Sequence, residues 1–181
     1  LSAVIDDLLH LSRIDQGRVS LNFGVLDLNV LTQQYVFDRM PMAEEKNQTL
    51  KFHSDVNAPM VSGDASLVVQ AVGILLHNAI NYTPREGHIT VSIVQRDFDG
   101  TKWGGISVAD DGPGISETDR PRLFERFFRG EAGLQSGAPG TGLGLAICRE
   151  IMERHQGEVT FDSIPEQGAT FTIWIPAASR S

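Results

Sequence analysis

One stretch constrains the fold more than any other: DASLVVQAVGILLHNAINYTP, Asp64–Pro84. Asp64 can cap a helix and Pro84 lies just past its end, so the segment reads as one long helix. Its middle is apolar nearly all round rather than along a single stripe. Such a helix has no broad face to give to water, and other elements must cover it on several sides.

The covering elements can be read on either side. VSLNFGVLDL (Val19–Leu28) predicts a short strand leading into a helix over about 28–46, with Pro41 inside it as a point of kinking or division. TLKFHS (Thr49–Ser54) alternates as a strand does, and Pro59 to Gly63 predicts another short one. Two strands follow, about 88–97 and 103–110, around the hairpin-like turn DFDGTK. GLGLAICREIMERH is helical, and GEVTFDS and GATFTIWIP are strands around a turn. RGEAGLQSGAPGT, residues 129–141, is Gly-rich without apolar periodicity and predicts a mobile loop. The expected architecture is α+β: a two-layer sandwich of a mixed, mostly antiparallel sheet with helices on one face. Residues 1–16 add an amphipathic helix in front, with Leu1, Val4, Ile5, Leu8, Leu9 and Leu11 at helical spacing, Gly17 as its stop and a domain boundary near 17–20.

A chain of 181 residues, 41% of them hydrophobic, suits one compact domain plus such an appendage. No apolar run approaches the roughly 20 residues that span a bilayer, and no signal-peptide pattern opens the chain. It begins mid-pattern on LSAVIDDLLHLSRID without Met, as expected of a fragment. The net charge of −8 disfavours nucleic acid as a partner. Against it stands one basic cluster, Arg120, Arg122, Arg126 and Arg129. The lone cysteine, Cys148, excludes an intrachain disulfide and reads as a small buried apolar residue.

Three stretches bear on chemistry: LLHNAINYTP, DDGPGI and GTGLGLAI. Each alone is weak. None is a Walker loop, because no G-x-x-x-x-G-K-[ST] occurs, and no βαβ unit with a trailing acid supports a Rossmann fingerprint. In this order and spacing they resemble the N box and two glycine boxes of the ATP-binding domain of sensor histidine kinases, within the gyrase/chaperone/histidine-kinase ATPase superfamily. LFERFFRG resembles that family's F box, and HQGEVTFDSIPEQGATFTIWIP its closing strands. LLHLSRIDQGRVSL is similar to the end of the dimerisation hairpin and its linker.

The resemblance implies a Bergerat-type ATP-binding fold and a role for each box. Asp110 would accept from the adenine amine, with Gly112 and Gly114 leaving room for the ring and Ile115 beside it. Asn78 would offer its amide oxygen to Mg²⁺, and Tyr82 would lie beside adenine. Gly140, Thr141, Gly142, Leu143, Gly144 and Leu145 would meet phosphate at a helix start. Arg129 would reach the γ-phosphate, making Asn78 and Arg129 the catalytic pair, and Thr170 would reach adenine. Residues 129–141 would be the lid, residues 1–18 the end of the second dimerisation helix, and residues 19–181 the catalytic domain.

Three positions depart from the family pattern. Asp111 stands where Asn is frequent, and Asn81 where a Lys or Arg usually serves phosphate. Ile74 stands where the hydrolase branch has a glutamate and histidine kinases usually have Asn. None of His10, His53, His77, His88 and His155 has the acid-Leu-Arg setting of a phosphoacceptor. Three readings of function are therefore weighed. The first is a protein-histidine kinase domain that uses ATP and Mg²⁺ on a histidine outside the fragment. The second is an ATP hydrolase, which Ile74 disfavours because an apolar side chain is no base. The third is a nucleotide-gated, non-catalytic binding module. The first implies as partners the phosphoacceptor helix and a response regulator. It also implies a homodimeric parent, a monomer being compatible with the fragment alone. The domain is expected in the cytoplasm, with an inner-membrane anchor compatible for the parent.

Overall fold

The computed structural model describes residues 20–135 and 137–179. The helix expected over residues 1–16, the dimerisation-helix assignment of 1–18 and His10 lie outside the described residues.

Asp27 starts the ordered helical layer. Its carboxylate accepts the amides of Asn29 at 2.8 Å and Val30 at 3.4 Å and so caps α1 (Leu28–Glu45). This early cap leaves the preceding strand β1 (Gly24–Leu26) shorter than expected. Pro41 does not divide α1. It lies on the exposed side, where water can reach the Phe37 carbonyl that has lost its donor.

Strand β2 (Thr49–His53) and strand β3 (Val61–Gly63) come next, and β3 pairs antiparallel with β1 in a small two-stranded sheet. The apolar segment forms α2 (Ala65–Tyr82). Asp64 caps it, accepting the amides of Ser66 at 3.0 Å and Leu67 at 3.2 Å. Burial pushes the Asp64 carboxyl up, but hydrogen bonds from Ser66, Asn22 and Leu67 outweigh that and hold it below 3.8. At the far end Gln48 Nε2 donates to the carbonyls of Ile80 and Thr83, which the helix leaves unpaired.

Strands β4 (His88–Phe98) and β5 (Thr101–Asp110) form a hairpin. It turns on Asp99 and Gly100, both with positive φ (51° and 74°), as the tightest hairpin requires. Helix α3 (Glu131–Gln135), helix α4 (Gly144–Arg154) and strands β6 (Glu158–Ile164) and β7 (Gly168–Pro176) complete the chain. The main sheet has the order β2-β4-β5-β7-β6. Only the β2–β4 pair is parallel.

One face of this sheet is apolar by strict alternation: Ile89, Val91 and Ile93 on β4, Ile106 and Val108 on β5, Ile173 and Ile175 on β7, all buried. The helices cover that face, α1 over β2, α2 over β5 and α4 over β6. By length and composition α2 could cross a membrane, yet Leu67, Val68, Val72, Leu75, Leu76 and Ile80 are buried core here. Cys148 is part of the same core, and burial pushes its thiol up to about 12, so it is unreactive packing. The expected two-layer α+β sandwich is the fold observed.

Candidate nucleotide-binding site

The period-two alternation that buries Ile106 and Val108 carries on to Asp110, the last residue of β5. Its carboxyl therefore leaves the sheet on the helix side, at the strand end, and lines a cavity of about 870 Å³. Burial raises that carboxyl above its ordinary 3.8. Hydrogen bonds from the Gly112 and Ala169 amides oppose the rise, and the Asp111 charge adds to it. The Gly112 N–H donates to Asp110 Oδ1 at 2.9 Å. The carboxyl is half-buried and stays raised despite two amide donors, and the cavity it lines leaves room for a further donor.

From α2, Asn78 and Tyr82 line the same cavity, one turn apart. The Asn78 carboxamide has no hydrogen-bond partner among the described residues. The Tyr82 hydroxyl lies under the loop 129–141, so close to Gly133 that a Cβ there would sit 2.9 Å from it. Gly114 and Ile115 line the cavity from the loop after β5. That loop is tied to the β6–β7 hairpin: Ile115 N–H donates to Ser163 Oγ, and Glu166 N–H to the Pro113 carbonyl.

The opposite wall is the start of α4. Gly140, Thr141, Gly142, Gly144 and Leu145 line the cavity there. Leu143, at the N-cap position, has no side chain able to cap, so first-turn amides of an eleven-residue helix face the cavity end. Gly142 has φ of +73°, and a Cβ would lie 2.6 Å from the Phe127 backbone. That fit lets Phe127 N–H donate to the Gly142 carbonyl at 2.9 Å, closing the loop 129–141 at its base.

Within the loop expected to be mobile, a short helical segment is present. Asp119 accepts the Glu131 amide at 2.8 Å and starts the short helix α3. Arg129 Nη2 donates to the carbonyls of Gly133 at 2.7 Å and Ala138 at 2.6 Å, holding the two sides of the loop together. Arg129 lines the cavity, and one of its two terminal nitrogens, Nη2, is committed to the loop.

A family model described as histidine kinase-, DNA gyrase B-, and HSP90-like ATPase matches residues 63–179. The chain belongs to this ATPase family. Its relatives include the adaptive-response sensory kinase SasA of Rippkaea orientalis, 36% identical over 97% of this chain and 44% of the relative. Another is the sensor protein IrlS of Burkholderia pseudomallei, 37% identical over 98% of this chain and 37% of the relative. The chain thus spans less than half the length of these relatives. Among solved structures, full-length ShkA in complex with AMPPNP superposes with a TM-score of 0.83 at 26% identity, over 99% of this chain and 36% of that one. The catalytic domain of the histidine kinase ThkA superposes with a TM-score of 0.71 at 28% identity, over 86% of this chain and 97% of that one. Within the ATPase family the chain is an ATP-binding domain of the sensor-histidine-kinase kind.

Three expected site residues stand apart from the cavity lining. Thr170 does not line the cavity: it pairs with Ala109, on the opposite sheet face from the Asp110–Ala169 pair, and Ala169 and Phe171 take the cavity side. The Leu143 side chain is fully buried core, and Leu143 is absent from the cavity lining. Gly112 does not line the cavity either. A Cβ there would lie 2.8 Å from Asp110 Oδ1 and 3.0 Å from the Tyr82 carbonyl, so its missing side chain makes room for the carboxylate. The basic cluster is also largely local: Arg120 pairs with Glu117 and donates to the Ser163 carbonyl, and Arg122 pairs with Glu125 and lies over Phe128.

Several residues escaped sequence reading because their partners are distant. Asp111 clasps His88 across the hairpin. His155, buried, donates from Nδ1 to the Ile151 carbonyl and accepts the Asp64 amide on Nε2, locking the end of α4 to the start of α2. Gly168, with φ of +103°, passes Asp110 so closely that a Cβ would meet its carbonyl at 1.9 Å. No local pattern announces such contacts; an unexplained Gly at a strand start is the one available signal.

Proposed function

We propose that this domain binds ATP with Mg²⁺ and delivers its γ-phosphoryl group to a histidine on a helix of the parent protein. The observation that carries the reading is the half-buried Asp110 carboxylate lining the cavity beside the unpartnered Asn78 and the start of α4. Asp110 would accept from the exocyclic amine of adenine, Tyr82 and Ile115 would flank the ring, and the amides of Gly144 and Leu145 at the start of α4 would receive phosphate.

No group of three or more His, Cys, Asp or Glu suited to a metal stands among the described residues. A cation here fits only as one shared between Asn78 Oδ1, phosphate oxygens and water, which is how Mg²⁺ is usually held. Bound ATP supplies the phosphoryl group and Mg²⁺ neutralises its charge. Arg129 orders the loop 129–141 over the site and excludes water. Ile74, one turn before Asn78, offers no base, which supports phosphoryl transfer over hydrolysis. The parent is read as a dimeric, membrane-anchored sensor with this domain in the cytoplasm, passing phosphate on to a response regulator. Residues 19–181 form the catalytic unit and residues 1–18 the end of the dimerisation hairpin.

The test has two parts. Calorimetry should give ATP binding that strengthens with Mg²⁺ and weakens on Asn78→Ala chiefly when Mg²⁺ is present. With γ-labelled ATP the chain alone should take up no label. A dimerisation hairpin carrying a phosphoacceptor histidine, added in trans, should become labelled in an acid-labile form. Steady release of inorganic phosphate with no labelled hairpin would assign the domain to hydrolysis.

A further inference from the structure

A triphosphate is a polyanion, and this domain is itself acidic, so the phosphate end of the cavity needs a fixed cation. Two lining residues carry a permanent positive charge, Arg129 and Arg39. Arg129 has one terminal nitrogen, Nη2, on two loop carbonyls and its Nε buried. Lys46 is near but committed: its ammonium donates to the Ile80 carbonyl and to Asn81 Oδ1 at the end of α2, and neither Lys46 nor Asn81 lines the cavity.

Arg39 differs. It stands on α1, which lies alongside α2. Tyr35 fits the notch at Gly73, where a Cβ would meet the hydroxyl at 2.5 Å, and Lys46 anchors the far end at Ile80. Arg39 lines the cavity together with the stretch of α2 from Gly73 to Asn78. Its guanidinium carbon lies 4.5 Å from the centre of the Tyr35 ring, one turn back on α1. No carboxylate pairs with it among the described residues. Stacking uses the face of a guanidinium and fixes its plane, but leaves the N–H donors along the edge free. A guanidinium that lies over a ring and meets no carboxylate among the described residues keeps N–H donors for bidentate capture of phosphate oxygens.

We propose that Arg39 is the phosphate-binding cation of this site, contributed from α1 and taking the terminal phosphates of the nucleotide. The proposal rests on the reading of the cavity as an ATP site. It gives Arg39 the charge that Asn81 lacks, from a different helix.

Calorimetric titration of the chain with ATP and with adenosine, at low and high salt, tests it. Arg39→Ala should weaken ATP binding about tenfold, the loss of one charge-assisted contact, leave adenosine binding unchanged, and flatten the salt dependence of ATP binding. Arg39→Lys, which keeps charge but not the fork, should fall between. Unchanged ATP affinity in Arg39→Ala overturns the proposal. So does equal weakening of ATP and adenosine, which would make Arg39 only a brace between α1 and α2. If the unaltered chain binds adenosine and ATP alike, the phosphate cation is wrong while the base-reading carboxylate stands. If it binds neither, the underlying reading of the cavity fails and takes the proposal with it.

Discussion

Asp111 holds His88 twice, accepting its backbone N–H on Oδ1 at 2.8 Å and meeting its Nδ1 with Oδ2 at 2.9 Å. The clasp closes the open end of the β4–β5 hairpin, one residue beyond Asp110. Of the two adjacent carboxylates, one faces the cavity and the other fastens the strand that presents it. Burial pushes the Asp111 carboxyl up, but the His88 hydrogen bonds and charge outweigh that and hold it below 3.8. An acid depressed in the folded state contributes stability above its unfolded value and loses it as pH falls through the folded one. Asp111→Ala should therefore lower the urea midpoint at neutral pH, and the gap to the unaltered chain should close below about pH 4. A gap independent of pH would assign the loss to packing instead.

Asp110 has the opposite shift and the opposite test. Its carboxyl is raised by burial, so it protonates at higher pH than an ordinary aspartate and then loses an acceptor for the adenine amine. ATP affinity should fall as pH drops toward that raised value, before Asp111 titrates. Asp110→Asn should weaken ATP at least tenfold, a charge-assisted bond being worth about 1.5–3 kcal/mol, without loss of folded structure by circular dichroism. Affinity retained within about threefold would remove Asp110 from adenine recognition.

The glycines separate by geometry. Gly168→Ala places a Cβ against the Asp110 carbonyl at a φ of +103° and should cost well over 2 kcal/mol, because backbone strain and collision add. Gly137→Ala has a φ of +63° and open space, so only the backbone penalty, about 1 kcal/mol, applies. Gly140→Ala meets nothing within 4 Å and should leave stability unchanged or slightly raised. Urea denaturation of the three variants checks the order.

The loop 129–141 should be partly ordered without nucleotide, through the Arg129 bonds and the Asp119 cap. Arg129→Ala should speed hydrogen exchange of the Glu131 and Leu134 amides about tenfold, consistent with the loss of roughly 1–2 kcal/mol of local stability. ATP should slow exchange across the loop more than ADP in the unaltered chain, and that difference should shrink in the variant. Equal exchange in all states would make the loop a rigid wall.

Much of this site is legible wherever chemistry follows local rules. The Asp64 cap, the all-round apolar α2 and the Asp99-Gly100 turn each follow from a few neighbouring residues. Asn78, Asp110 and Gly140 to Gly144 converge although they lie far apart in the chain. The face of Thr170 is legible too: Ala169, Phe171, Ile173 and Ile175 alternate with Thr170, Thr172 and Trp174, and period-two counting assigns the threonines to the sheet face away from the helices. Leu143 is an apolar side chain between glycines, and its side chain belongs to the core. The contacts of Gln48, His155, Asp119 and Arg39 follow from which helix lies beside which, and that is decided by packing rather than by any run of residues.

The hydrogen bond from Phe127 to the Gly142 carbonyl joins the two feet of the loop over the cavity. A segment tethered at its base already carries the cost of bringing its ends together, and that cost grows only logarithmically with contour length. Doubling the segment adds about 0.6 kcal/mol. Added residues near Gly137, where no atom stands within 4 Å of a would-be Cβ, leave Asp110, Asn78 and the start of α4 where they are. The canopy over this cavity can thus vary in size and sequence while its foundations stay fixed, and grafted segments at that tip are the natural place to engineer a new recognition surface onto an unchanged nucleotide site.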